Sequence, residues 1–285
     1  MEDRLAAQTV VCRLLRQYDC QPKKGLGQNF LTDPGAAEKM VDAARITRDD
    51  FVIEIGSGLG GLTQKLAENA GSVLAIELDK SLVEILNHLF EGDNRVEILQ
   101  GDIRRIDLNA LAESRGWRTV KVAANLPYYI TSPVILSLLE SRCPLESITV
   151  MIQKEAAERL TAKPGCKEYG VLSLTAAYYA DIRVNAHVPR NCFFPRPKVD
   201  SVIVTMYRKT PEADPADEEV LFKCIKAAFG QRRKTLLNCL RSQDWIGLDR
   251  EGLTGLLKSC GLDQAIRGEA LSLEDFLLLA RKLNA

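Results

Sequence analysis

Apolar positions in this chain recur first at helical spacing, then as short β-branched runs, then at helical spacing again. Residues 3–18 read as an amphipathic helix, stopped by the breaker Gln21-Pro22-Lys23-Lys24-Gly25. A loop over 25–30 follows, and then Asp33 with Pro34 predicts an N-cap and a first helical turn, the helix running to about Arg45. Residues 51–55, 73–77, 96–99, 120–123 and 148–152 read as strands, with helical patterns over 60–69, 80–90 and 131–140. That alternation predicts an α/β fold: a parallel sheet with helices on both faces.

Beyond Gly170 the rhythm changes. A helix over 171–178 precedes two extended stretches, 182–187 and 202–207, joined by the Pro-rich segment 188–199. The pattern predicts a late hairpin at the sheet edge. Residues 210–219 hold Pro211, Pro215 and five acidic residues and read as a linker. The rest is purely helical. The expected organisation is an N-terminal helical extension over 1–21, an α/β domain over 22–210 and a small C-terminal all-α domain over 211–285, without internal repeats.

Composition narrows the class. The 285 residues are 46% apolar and 27% charged, ordinary for a packed soluble protein. Lysine plus arginine and aspartate plus glutamate are 38 each, so no bulk attraction to a polyanion follows and any such partner needs a local basic patch. Charge interrupts every apolar run before bilayer length, and Arg13 and Arg16 break the first one, unlike a signal peptide. A cytoplasmic location without membrane contact is expected. The eight cysteines stand eight or more positions apart, which removes CxxC-type zinc and redox spacings, and only His88 and His187 are present. No metal site is expected.

The first candidate chemistry lies in Glu54-Ile-Gly56-Ser57-Gly58-Leu59-Gly60-Gly61, a strand running into a glycine-dense turn. Glycines let the backbone turn tightly and approach a ligand. Alone, Gly56, Gly58 and Gly61 also suit the G-x-G-x-x-G of a nicotinamide-dependent oxidoreductase, and a tight corner without ligand is a third reading. Glu77, 21 positions after Gly56, ends the next strand where a carboxylate can accept ribose hydroxyls. Asp102 follows the third strand, placed to meet an adenine amino group.

The sharpest signal is Asn125-Leu126-Pro127-Tyr128 after the fourth strand. An exocyclic amine on a base is a poor nucleophile because its lone pair is delocalised into the ring. Two acceptors on its hydrogens, the Asn125 side-chain carbonyl and the backbone carbonyl of Leu126 or Pro127, draw the nitrogen toward tetrahedral geometry, while Tyr128 stacks on the base. Phe193 can supply the other wall of a base sandwich. Six basic and no acidic residues lie between Lys223 and Arg241, including Arg232, Arg233 and Lys234, a candidate phosphate-contacting cluster.

These residues resemble the KsgA/RsmA family, the S-adenosylmethionine-dependent dimethyltransferases of small-subunit ribosomal RNA adenosines. The resemblance rests on Gly27-Gln28-Asn29-Phe30-Leu31, the glycine turn, Ile76 to Asp79, Asn125 to Tyr128, residues 153–160, Phe193 to Ser201 and Phe229 to Leu236. It implies a class I, Rossmann-like methyltransferase sheet over 22–210 and an rRNA-contacting helical domain. Asn29, Leu31, Gly56, Glu77, Asp102 and Asn125 would hold S-adenosylmethionine. The implied reaction dimethylates the N6 amines of two adjacent adenosines near the 3′ end of 16S rRNA, in the 30S subunit or its precursor, by a monomer that also serves ribosome assembly. Ser57 stands where the family usually has proline, and residues 1–20 have no counterpart in its motifs. A related family that methylates large-subunit rRNA shares the glycine turn and an Asn-x-Pro-Tyr motif, commonly with Ile at the position of Leu126. A non-catalytic assembly or transcription factor on the same fold is the other alternative.

Overall fold

The structure, a computed structural model, describes residues 4–210 and 213–284. It forms two compact units: one runs to Ala157 and resumes over Asp181–Arg208, and the other comprises Glu158–Ala180 with the chain from Lys209 onward.

In the first unit, α1 (Gln8–Gln17) leads to β1 (Phe30–Leu31) and α2 (Pro34–Ala44). The Asp33 carboxylate caps α2 by accepting from the Ala36 amide at 2.8 Å, with Pro34 at the first turn, as the sequence predicts. Strands and helices then alternate: β2 (Phe51–Ile55), α3 (Gly61–Asn69), β3 (Ser72–Glu77), α4 (Lys80–Leu89), β4 (Val96–Gln100), α5 (Leu108–Arg115), β5 (Val120–Asn125), α6 (Thr131–Glu140) and β6 (Leu145–Gln153). The helix α7 (Lys154–Leu160) crosses into the second unit, followed by α8 (Val171–Tyr179). The chain returns to the first unit through β7 (Ala180–Val188), β8 (Phe193–Phe194) and β9 (Ser201–Arg208).

The main sheet has the order β4-β3-β2-β5-β6-β9-β7. β4 through β6 are parallel and β9 is antiparallel to β6, from Ser147 opposite Tyr207 to Gln153 opposite Ser201. The expected late hairpin is the β9-β7 edge. Strand order reverses direction between β2 and β5, and the C-terminal strand ends beside such a switch point are where α/β sheets bind ligands. A core of α2, α3 and strand residues, with Met40, Leu66 and Ile203 fully buried, holds these ends in place. β1 and β8 form a separate two-stranded ribbon, Phe30 opposite Phe194 and Leu31 opposite Phe193.

The second unit continues with α9 (Pro215–Gly230), α10 (Leu236–Arg241), α11 (Arg250–Ser259) and α12 (Leu273–Asn284). Phe276, Leu253 and Leu257 are fully buried in it. Tyr178 and Tyr179 both donate to the Glu218 carboxylate, at 2.9 and 2.6 Å, tying α8 to α9.

Two expected boundaries change. Residues 158–180 belong with the C-terminal helices, and the N-terminal stretch packs into the α/β unit. The expected linker over 210–219, part of which lies outside the described residues, is cut short because α9 already starts at Pro215. Proline at the first helical position, with Asp217 and Glu218 in the first turn to favour the helix dipole, makes that composition a helix start. No described helix is long and apolar enough to cross a membrane, and no metal-binding cluster occurs among the described residues.

Candidate active site

A cleft of about 1060 Å³, its open mouth included, lies at the C-terminal ends of β2 to β5. Asn29, Leu31, Gly56, Glu77, Asp102, Asn125 and Tyr128 all line it.

The glycine turn begins where β2 ends. Gly58 has φ +59°, a left-handed conformation that favours glycine, and a Cβ there would sit 3.2 Å from the Phe30 ring. Its amide donates to Glu77 Oε2 at 2.9 Å, and the Asp79 amide donates to Oε1 at 2.9 Å. Glu77 is 6% exposed, and burial raises its pKa against the pull of these backbone bonds. Two backbone bonds leave lone pairs free on both oxygens, so the carboxylate can still accept a pair of hydroxyls. Behind it Glu54 is fully buried, accepts from Thr63 Oγ1 at 2.5 Å, and is pushed up to about 7 by that burial.

Asp102 is differently served. Arg104 grips it with Nε at 2.9 Å and Nη2 at 2.7 Å, and the Arg104 amide adds a third bond at 3.0 Å. This fork holds the Asp102 carboxyl below the usual carboxylate range. Sequence reasoning missed Arg104; the Asp-x-Arg spacing was its only signal. It gave Asp79 no role beyond its motif; the Asp79 carboxylate accepts from Lys23 Nζ at 2.6 Å and Gln28 Nε2 at 2.9 Å. Burial alone would raise the Asp79 pKa, but the Lys23 and Gln28 bonds outweigh it. Asp79 thereby clasps the 23–28 segment, part of which lines the cleft.

At the end of β5, Asn125 Nδ2 donates to the Asn29 carbonyl at 3.2 Å. That bond aims the amide so that Oδ1 remains an acceptor. The Pro127 carbonyl is taken by Thr131 Oγ1 and the Ile130 amide, both at 3.2 Å. The Leu126 carbonyl has no hydrogen-bond partner among the described residues. Of the two backbone carbonyls the sequence left open, that of Leu126 is therefore the one without an internal hydrogen bond among the described residues. The Tyr128 hydroxyl lies 3.3 Å from Ser201 Oγ.

Phe193 departs from expectation. It is 4% exposed, packs in the α2 core, and is not among the residues lining the cleft. Phe194, 37% exposed, is the aromatic that the ribbon turns outward, because neighbours along a strand point to opposite faces. The basic cluster is also divided. Arg232 Nη2 donates to the carbonyls of Lys167 and Tyr169 at 2.9 and 3.1 Å and pairs with Glu269 at 3.3 Å, a structural clamp within the helical unit. All three, Arg232, Arg233 and Lys234, are exposed.

The description of ribosomal RNA adenine dimethylases matches residues 20–284. The ribosomal RNA small subunit methyltransferase A of Lachnoclostridium phytofermentans is 46% identical, covering 94% of this chain and 93% of that protein. That of Clostridioides difficile is 40% identical, covering 99% and 98%. Among solved structures, a dimethyladenosine transferase from Plasmodium falciparum superposes with a TM-score of 0.69 at 28% identity, covering 87% of this chain and 95% of that one. The 23S rRNA methyltransferase ErmE shares the fold, with a TM-score of 0.68 at 24% identity over 90% and 100% of the two chains. With a family match over nearly its whole length and relatives this similar, the chain belongs to the ribosomal RNA adenine dimethylases, enzymes that take their methyl group from S-adenosylmethionine.

Proposed function

We propose that this enzyme dimethylates the N6 amines of two adjacent adenosines near the 3′ end of small-subunit rRNA, and that the cleft below β2 to β5 is where it does so. The observation that carries the reading is the acceptor pair at the end of β5: Asn125 Oδ1, aimed by the Asn29 carbonyl, beside the unpartnered Leu126 carbonyl.

The cleft suits the donor by its chemistry. Glu77 keeps lone pairs for ribose hydroxyls, Asp102 keeps one for an adenine amino group, and the glycine turn gives the methionine part a backbone surface. Asn29 and Leu31 close the same cleft from the loop side. Bound S-adenosylmethionine supplies an electrophilic sulfonium methyl. The residues at the β5 end prepare the nucleophile: the Asn125 and Leu126 carbonyls accept the two amine hydrogens and weaken lone-pair delocalisation into the ring. Tyr128 offers its ring face to the base. Neither carbonyl ionises, so the rate depends on alignment. As the nitrogen takes the methyl, the methyl–sulfur bond breaks and the nitrogen releases one proton to solvent water; one amine hydrogen then remains, and one carbonyl suffices to orient it.

The target adenosine must leave its stack, at a cost of a few kcal/mol that stacking on protein aromatics offsets. Arg232, Arg233 and Lys234 are all exposed, and Arg233 and Lys234 suit phosphate contact without giving up the clamp that Arg232 forms. Replacing both by alanine should weaken RNA binding and flatten its salt dependence by roughly one unit of slope per lost contact.

The names of the curated relatives favour small-subunit RNA. The test is methyl transfer from labelled S-adenosylmethionine to undermethylated small subunits and, in parallel, to large-subunit RNA, with product nucleosides identified by mass spectrometry. N6,N6-dimethyladenosine at two adjacent small-subunit positions is expected. Transfer to large-subunit RNA alone would move the enzyme to the other substrate, and donor binding without transfer to either would leave only the assembly role.

A further inference from the structure

The segment ahead of the region matched by the family description is built into the wall of the cleft. Leu5, Val11, Leu14 and Leu15 are buried in one apolar cluster with Phe30, Leu59, Leu82 and Ile85. Phe30, Leu59 and Leu82 also line the cleft, so the same side chains have the donor site on one side and the N-terminal arm on the other.

Contacts with the glycine turn are closer still. A Cβ on Gly61 would lie 3.2 Å from both Cα and Cβ of Ala6. One on Gly60 would lie 2.9 Å from the Phe90 ring and 3.3 Å from Leu5. The last two glycines of the turn are thus small where the arm passes. The Leu5 amide donates to Gln64 Oε1 on α3 at 2.9 Å, which fixes the arm against the helix that follows the turn. At its other end the segment is fastened again, by Lys23 and Gln28 on Asp79. Between those anchors the chain runs directly into the cleft-lining residues 26–31.

We infer that the N-terminal arm, residues 4–17, is a positioning element of the S-adenosylmethionine site: it holds the glycine turn and the 26–31 loop in their donor-binding shape. The physical reason is preorganisation. A glycine-rich turn is conformationally permissive, and ordering it upon ligand binding would subtract from affinity. An apolar arm packed behind the turn does that ordering in advance. Loss of the arm therefore weakens donor binding and raises the donor KM, while RNA affinity and kcat at saturating donor change little.

The inference rests on the cleft being the donor site, so its test carries a control for that reading. Donor affinity is measured by calorimetry with S-adenosylhomocysteine, and Tm without ligand, for the full-length chain, a deletion of residues 1–17, the milder Leu14→Ala, a Leu14→Met rescue, Glu77→Gln, and Leu138→Ala. Leu138 is 1% exposed in α6 and does not line the cleft, so that variant reports the effect of a remote core cavity. The expected result is about tenfold weaker binding for the deletion, a smaller loss for Leu14→Ala that Leu14→Met restores, and unchanged affinity for Leu138→Ala at a comparable fall in Tm. Should the deletion fail to fold, Leu14→Ala against Leu138→Ala decides. If Glu77→Gln weakens binding but both arm variants bind like Leu138→Ala, the inference is overturned. If Glu77→Gln itself leaves affinity unchanged, the donor-site reading falls and the inference with it.

Discussion

The two ends of the cleft use the same side-chain chemistry in opposite surroundings. At the β3 end Glu77 is buried, held by two backbone amides, and has its pKa raised by desolvation. At the β4 end Asp102 is gripped by a half-exposed arginine that lowers its pKa. A carboxylate fixed by backbone is part of the fold, whereas one fixed by a mobile side chain is adjustable. The buried end should therefore carry most of the donor affinity and couple it to stability, and the open end should carry less of both.

Glu77→Gln breaks the buried end with the largest effect. The amide can accept on one oxygen only, so its NH2 group is forced against the Gly58 or the Asp79 amide. Leaving a buried donor unpaired costs about 1–3 kcal/mol, and loss of the charged acceptor adds to it. Donor affinity should fall about a hundredfold, with a lower Tm in the free protein. Isothermal titration with S-adenosylhomocysteine alongside a thermal scan checks both, and an unchanged Tm would show that the turn does not depend on Glu77.

Asp102→Ala comes next. Removing this carboxylate frees Arg104 into solvent, where it is readily hydrated, so no buried group is orphaned. We expect about a tenfold loss of donor affinity and almost no change in Tm. A loss equal to that of Glu77→Gln would erase the distinction between the two ends.

pH sharpens the same contrast. The Glu54 carboxyl, fully buried behind Glu77, is raised from its ordinary 4.5 to about 7 in the folded protein. The folded state thus holds a proton that the unfolded chain has released. Its contribution to stability is complete below the ordinary value and is lost as pH rises through about 7. Glu54→Gln keeps a neutral acceptor for the Thr63 hydroxyl at every pH. Its Tm should therefore fall less steeply than that of the parent as pH rises from the ordinary carboxylate range through neutrality. Parallel curves would sink the assignment. Asp102, already ionised well below this range, should contribute nothing to the difference.

Legibility followed the length scale of the interaction that decides each feature. β2 was readable to the residue because a five-residue run with three β-branched residues, bounded by a turn, carries its own signal. β1 and β8 were not, since two residues have no period. Phe193 and Phe194 show the consequence: the sequence offered two adjacent aromatics, and only the ribbon's pairing with Phe30 and Leu31 decides which one turns inward. The intramolecular partners of Arg232 stay hidden in the sequence for a related reason. The carbonyls it binds lie 63 and 65 positions away, so the clamp is visible only after folding. Glu77 and Asp102 were both readable as strand-end carboxylates, but the partners that make them unlike were not. The arm over residues 4–17 was read as a helix by its spacing, while its contact with Gly60 and Gly61 required the tertiary structure.

The smallest effect is the most discriminating. Arg104→Ala removes the fork from Asp102 without touching the carboxylate. The arginine is 47% exposed, and exposed ion pairs contribute little, so donor affinity should change by less than about threefold. Its sign is informative. Arg104 and its own amide together occupy three acceptor positions on Asp102, leaving one for an incoming donor. If the fork holds that last position in a useful direction, Arg104→Ala binds slightly more weakly. If the fork competes with the ligand, the variant binds slightly more tightly. Direct titration of donor and of its inosine counterpart, which lacks the amino group, separates these cases: a positioning fork makes Arg104→Ala discriminate less between the two ligands, and a competing one makes it discriminate more.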